Sequence, residues 1–83
     1  MSLSRLSDLP NGAFATVQGV SASPAQGMAQ LAHRLGELGF LPGEPVHVLR
    51  RGPGGREPIA VQVGETLLAL RWVEAQCIEV FVP

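Results

Sequence analysis

Residues 23–44, SPAQGMAQLAHRLGELGFLPGE, hold a helix, its stop and a chain reversal, and the periodicity of the whole chain changes after them. Ser23-Pro24-Ala25-Gln26 supplies an N-cap hydroxyl, a proline for the first helical position and a glutamine three residues beyond the cap. Met28, Leu31, Ala32, Leu35 and Leu38 then form one apolar stripe at helical spacing. Gln26, Gln30, His33, Arg34 and Glu37 fall off the stripe and should face water. Gly39 suits a left-handed stop, Phe40 can fold back over it, and Pro42 bars continuation. The pattern predicts a helix from Pro24 to Leu38. Leu41-Pro42-Gly43-Glu44 follows as a type II turn, with Pro and Gly at its centre.

Beyond that turn the period becomes two. Val46 and Val48, then Ile59, Val61 and Val63, then Leu68 and Leu70, then Ile78, Val80 and Val82 each mark one face of a strand. Gly64-Glu65 suits a two-residue hairpin, Gly52 to Arg56 a longer flexible one, and Arg71 to Ala75 a short connector of about one helical turn. Upstream, Ala13 to Val20 reads as a first strand, and Met1 to Gly12 as a polar lead-in closed by Leu9-Pro10-Asn11-Gly12. The expected fold is mainly β with one helix (α+β), a single domain over 1–83. Short strands hide their edges best by curling into a small barrel, here of about five strands with the helix between strands 1 and 2.

Composition narrows the function. A chain of 83 residues, 46% hydrophobic and 16% charged, is one small folded domain. Six basic residues, all Arg, against seven acids leave a net charge of −1, which attracts neither nucleic acid nor an anionic membrane. No apolar run approaches the roughly 20 residues of a membrane span, and the first residues lack a signal core. One cysteine, Cys77, excludes an internal disulfide and fits the reducing cytoplasm. There is no Lys, the single Asp is Asp8, and no nucleophile–base pair or cofactor fingerprint occurs, so no enzyme is expected.

Binding features remain. Arg50, Arg51 and Arg56 flank the Gly52 loop as a local cationic rim. If the alternating aliphatic residues fill the barrel, Leu49, Leu67 and Phe81 point outward, a surface suited to a partner or a second copy. His33 and Glu37 stand four apart on the helix and could share a divalent ion, with His47 on another element. Two aligned ligands do not make an internal site. No tightly bound cofactor is expected, only a weak surface or intermolecular site for Zn or Fe.

Arg34-Leu35-Gly36-Glu37-Leu38-Gly39-Phe40-Leu41-Pro42-Gly43 closely resembles the signature of the ferrous iron transport protein A family (FeoA). The downstream run Pro58-Ile59, Val61, Val63-Gly64, Leu68-Ala69-Leu70-Arg71, Glu74-Ala75 and Ile78-Glu79-Val80 matches its second half in order and spacing. The likeness covers about residues 5 to 82. It implies an SH3-like barrel and a cytoplasmic accessory role in bacterial Fe(II) uptake, peripheral to the inner membrane through a FeoB permease that carries a GTPase domain. The loop Arg51 to Pro58 departs from the family's Pro-Leu-Gly form by its extra glycines. With three Phe, one Trp and no Tyr, the chain lacks the aromatic groove that reads polyproline. Two alternatives share the fold space. One is the SH3-like domain of iron-dependent repressors, against which stands a chain beginning at its own Met1 without DNA-binding helices. The other is an RNA-binding small barrel, against which stands the net charge.

Overall fold

The computed structural model describes residues 2–21 and 28–83. In chain order it contains β1 (Ser2–Arg5), a 3-10 turn (Leu6–Asp8), β2 (Phe14–Val20), α1 (Met28–Glu37), β3 (Pro45–Arg51), β4 (Ile59–Val63), β5 (Thr66–Leu70), α2 (Trp72–Gln76) and β6 (Ile78–Val82). The strands form one antiparallel sheet in the order β1-β6-β2-β3-β4-β5. The capping segment expected at Ser23 to Gln26 lies outside the described residues.

Among the described residues there are six strands, not five, and the main helix therefore lies between the second and third. The additional strand is Ser2–Arg5, which pairs with β6 from Ser2 opposite Val82 to Arg5 opposite Glu79. Its sequence, Ser-Leu-Ser-Arg, has one apolar residue and no alternation to betray it. The backbone of β6, not side-chain burial, recruits it. The rest of the lead-in is less polar in its role than in its composition. The 3-10 turn sends Leu6 into the core at 0% exposure, and Leu9 follows.

Alternation decides which face each strand buries. Ala15 and Val17, Val46 and Val48, Ile59, Val61 and Val63, Leu70, Ile78 and Val80 all point into one core with Leu35, Phe40, Ala75 and Cys77. Leu31, Leu38 and Leu68 pack at its margin. Register shifts between Val17 and Gly19 and between Val48 and Arg50 bend β2 and β3, as bulges do, so that a short sheet can wrap its core. Among the described residues the wrap does not close by hydrogen bonding: β1 and β5 are the two ends of the strand order.

The helix ends as its sequence requires. The Phe40 N–H donates to the Leu35 carbonyl at 3.2 Å and the Gly39 N–H to the Gly36 carbonyl at 3.1 Å, the paired bonds of a Schellman stop. Gly39 sits at φ 118°, where side chains bearing a Cβ are strained. Its virtual Cβ meets Val63 Cγ1 at an ordinary 3.5 Å, so strain and not collision governs substitution. Gly39→Val is expected to cost at least about 1 kcal/mol, read as a lowered urea midpoint at constant slope. An unchanged midpoint would overturn this. The next turn also holds: Glu44 N–H donates to the Leu41 carbonyl at 3.1 Å, with Gly43 at φ 92°.

Candidate functional site

The outer face of the sheet can be read across the strands from the register. Leu3 on β1 lies opposite Phe81 on β6, and Phe81 opposite Thr16 on β2. One step along β2, Phe14 lies opposite His47 on β3, His47 opposite Gln62 on β4, and Gln62 opposite Leu67 on β5. The Phe14 and His47 rings stack at 3.8 Å between centroids and 11° between planes. Two shallow grooves flank this stack, one against Thr16, Pro45, Phe81 and Pro83, the other against Gln62 and Gly64. Phe14 remains 65% exposed. An aromatic this open beside a half-buried Phe81 and a proline is an apolar docking surface in shape and composition.

The three outward residues expected from the sequence do not form one patch. Phe81 and Leu67 do lie on the outer face, but β2, β3 and β4 separate their strands. Leu49 is exposed beside the β3 bulge. Leu3 and Phe14 escaped the sequence reading although one of them had left a trace. Phe14, Thr16 and Gln18 alternate with buried Ala15 and Val17, so Phe14 faces out for the same reason that Val17 faces in.

The arginines also disperse. Arg51 donates from Nη2 to the Ser7 carbonyl at 2.9 Å and from Nη1 to Asn11 Oδ1 at 3.2 Å, holding the 3-10 turn to β3. Arg56 lies over the Trp72 ring, 4.2 Å from its centroid. Arg50 stays exposed. The loop between them is not a loose tip. The Glu57 carboxylate accepts the Trp72 backbone N–H at 3.0 Å, and a Cβ on Gly52 would stand 2.6 Å from Pro58 Cδ. Gly52 is required by packing, which a Gly-rich composition alone does not reveal.

The metal candidates fall into separate places. His33 Nδ1 and Glu37 Oε1 are 3.2 Å apart on the exposed face of α1. His47 is committed to its stack on Phe14. The Cys77 thiol is lifted above its usual range by burial, with Arg5 opposing the shift and Glu74 adding to it, so it is a poor thiolate ligand. Among the described residues, no three of His, Cys, Asp and Glu converge. Among the described residues, too, no helix is long and apolar enough to cross a membrane.

The fold recurs in solved structures. The chain is similar to the zinc-complexed FeoA of Stenotrophomonas maltophilia, a procaryotic SH3 domain protein, with 45% identity over 93% of this chain and 88% of that one, at a TM-score of 0.80. It is similar to the FeoA protein of Chlorobium tepidum at 38% identity, covering 95% of this chain and 70% of that one, at a TM-score of 0.78. The T. acidophilum IdeR, at 17% identity over all of this chain and 35% of that one and a TM-score of 0.72, shares the fold alone. No curated protein matches the chain. The FeoA domain model matches residues 4–81, nearly the full length, and the chain belongs to the FeoA family of ferrous iron transport, with its SH3-like fold.

Proposed function

We propose that this chain is a non-enzymatic accessory protein of bacterial ferrous iron uptake that docks on the cytoplasmic side of a FeoB-like permease carrying a GTPase domain. The outer face of the sheet carries this reading: Phe14, stacked on His47 and flanked by Pro45 and Phe81, is an open aromatic anchor. Interfaces concentrate their energy in such anchors. Arg50, the rim cation with no partner among the described residues, and the exposed Leu49 lie on β3, the strand that carries His47. In this role the chain contributes a binding surface.

The experiment is a pull-down from membranes of cells that express the permease. The wild-type chain should recover the permease, and Phe14→Asp should reduce recovery at least about tenfold while leaving the melt unchanged, because Phe14 is not part of the core. Equal recovery by the variant would overturn the docking face, and no recovery by the wild type would overturn the partnership. Metal enters this role only weakly. His33 and Glu37 are the pre-aligned half of a site for Zn or Fe completed by a second molecule, and the S. maltophilia relative is complexed with zinc. Calorimetric titration under anaerobic conditions should show no tight one-to-one binding by dilute chain. Tight binding that survives His33→Ala and His47→Ala together would overturn that view.

A further inference from the structure

The free edge of β5 differs from every other edge in the fold. Among the described residues β5 is an end strand, paired only with β4, with no bulge in its register. The Gly64 N–H donates to the Pro45 carbonyl at 3.0 Å, which makes Gly64–Pro45 a hydrogen-bonded pair and, two residues on, Gln62–His47 another. Val63, Val61 and Ile59 must then turn their backbone groups toward β5, onto Thr66, Leu68 and Leu70. The N–H and C=O groups of Leu67 and Ala69 are left pointing away from the sheet. Sheet edges are ordinarily blunted by charge, proline, bulges or a covering element. β1, the opposite end strand, carries Arg5 and two serines, whereas β5 is Thr-Leu-Leu-Ala-Leu, with Leu67 68% exposed.

The edge is complementary to itself. Antiparallel pairing about a two-fold axis through Leu68 sets Leu67 opposite Ala69 of the second copy, and Ala69 opposite its Leu67. Among the described residues these backbone groups have no partner, so two hydrogen-bonded pairs form in register. The same axis brings Leu68 against Leu68, a half-buried residue that lines a groove at this edge with Leu70 and with Arg34 and Leu38 of α1. At the ends of the strand it sets Glu65 opposite Arg71, twice. Among the described residues neither side chain has an ion-pair partner. Backbone, apolar side chains and charges thus select one register. We infer that β5 is the dimerisation edge of this chain, and that its occupant is β5 of a second copy in this antiparallel register. The dimer is isologous and distinct from the outer-face docking surface.

A five-residue edge buries less than the roughly 1,200 Å² of a stable interface, so the dimer is weak and concentration-dependent. Sedimentation equilibrium from about 10 μM to about 1 mM should show monomer passing into dimer and nothing larger, because an isologous pairing closes. Glu65→Arg and Arg71→Glu should each raise the dissociation constant about three- to tenfold, and the double variant should return it to within about twofold of wild type. Ala69→Pro removes an N–H that β4 does not use and should abolish dimers with the circular dichroism intact. Glu65→Arg, at an exposed turn, carries the test if the proline variant does not fold. A chain that stays monomeric throughout would overturn the inference. So would a dimer that survives Ala69→Pro, or one that Phe14→Asp abolishes.

Discussion

Phe40→Ala is expected to lower stability by about 3–5 kcal/mol, as buried Phe-to-Ala substitutions do. Phe40 is 1% exposed and heads the fully buried side chains by volume. Its position does more than fill space. As the third residue past the end of α1 it donates its N–H to the Leu35 carbonyl, and both side chains enter the core together. Helix stop and core packing are therefore the same structural event, which is why the contact between these two positions accompanies such stops. A chain of this length has a total stability of about 4–12 kcal/mol, so the loss is a large share of the whole. The variant should show a urea midpoint displaced by that amount at constant slope. A loss below about 1.5 kcal/mol would mean that the surrounding core collapses into the space.

How much of this was readable in the chain follows from which residues speak for themselves. Val46, Val48, Ile59, Val61 and Val63 declared their face by alternation, and Leu35 declared the helix stripe, since burial on one face leaves a periodic trace. Gly39, Gly43 and Gly64 declared turns, and all three have positive φ. Ser2–Arg5 declared nothing, because a strand recruited through its backbone needs no apolar pattern. That silence also shifted the strand count and the place of the helix. The candidate site was less legible than the fold. Whether Arg51 is a free cation depends on Asn11 and the Ser7 carbonyl, some 40 residues away in sequence, and no spacing rule reaches that far. The separation of Leu67 from Phe81 depends on strand order, which β1 and β6 settle by joining the two ends of the chain. Only Phe14 could have been found, from the alternation that already placed Val17 inside.

Leu35→Ala is expected to cost about 2–4 kcal/mol, and it tests the docking of α1. Leu35 is at 0% exposure and, among the described residues, is the member of the apolar stripe that the core encloses fully; Leu31 and Leu38 are only half-buried beside it. An amphipathic helix of this length is not stable alone in water, so its order comes from the face it buries. Truncating Leu35 removes the centre of that face and also loosens the residue whose carbonyl anchors Phe40. Two measurements separate the effects. A urea melt gives the global loss, while amide exchange shows whether residues 31–37 open below the global free energy. The expected result is a lowered midpoint together with selective loss of protection in α1, and protection in β3 and β4 that still tracks the global value. Leu31→Ala, at the margin, should cost less than Leu35→Ala by the same melt. Equal losses at the two positions, or a Leu35→Ala loss below about 1 kcal/mol, would mean that the stripe lies on the sheet without being seated in it.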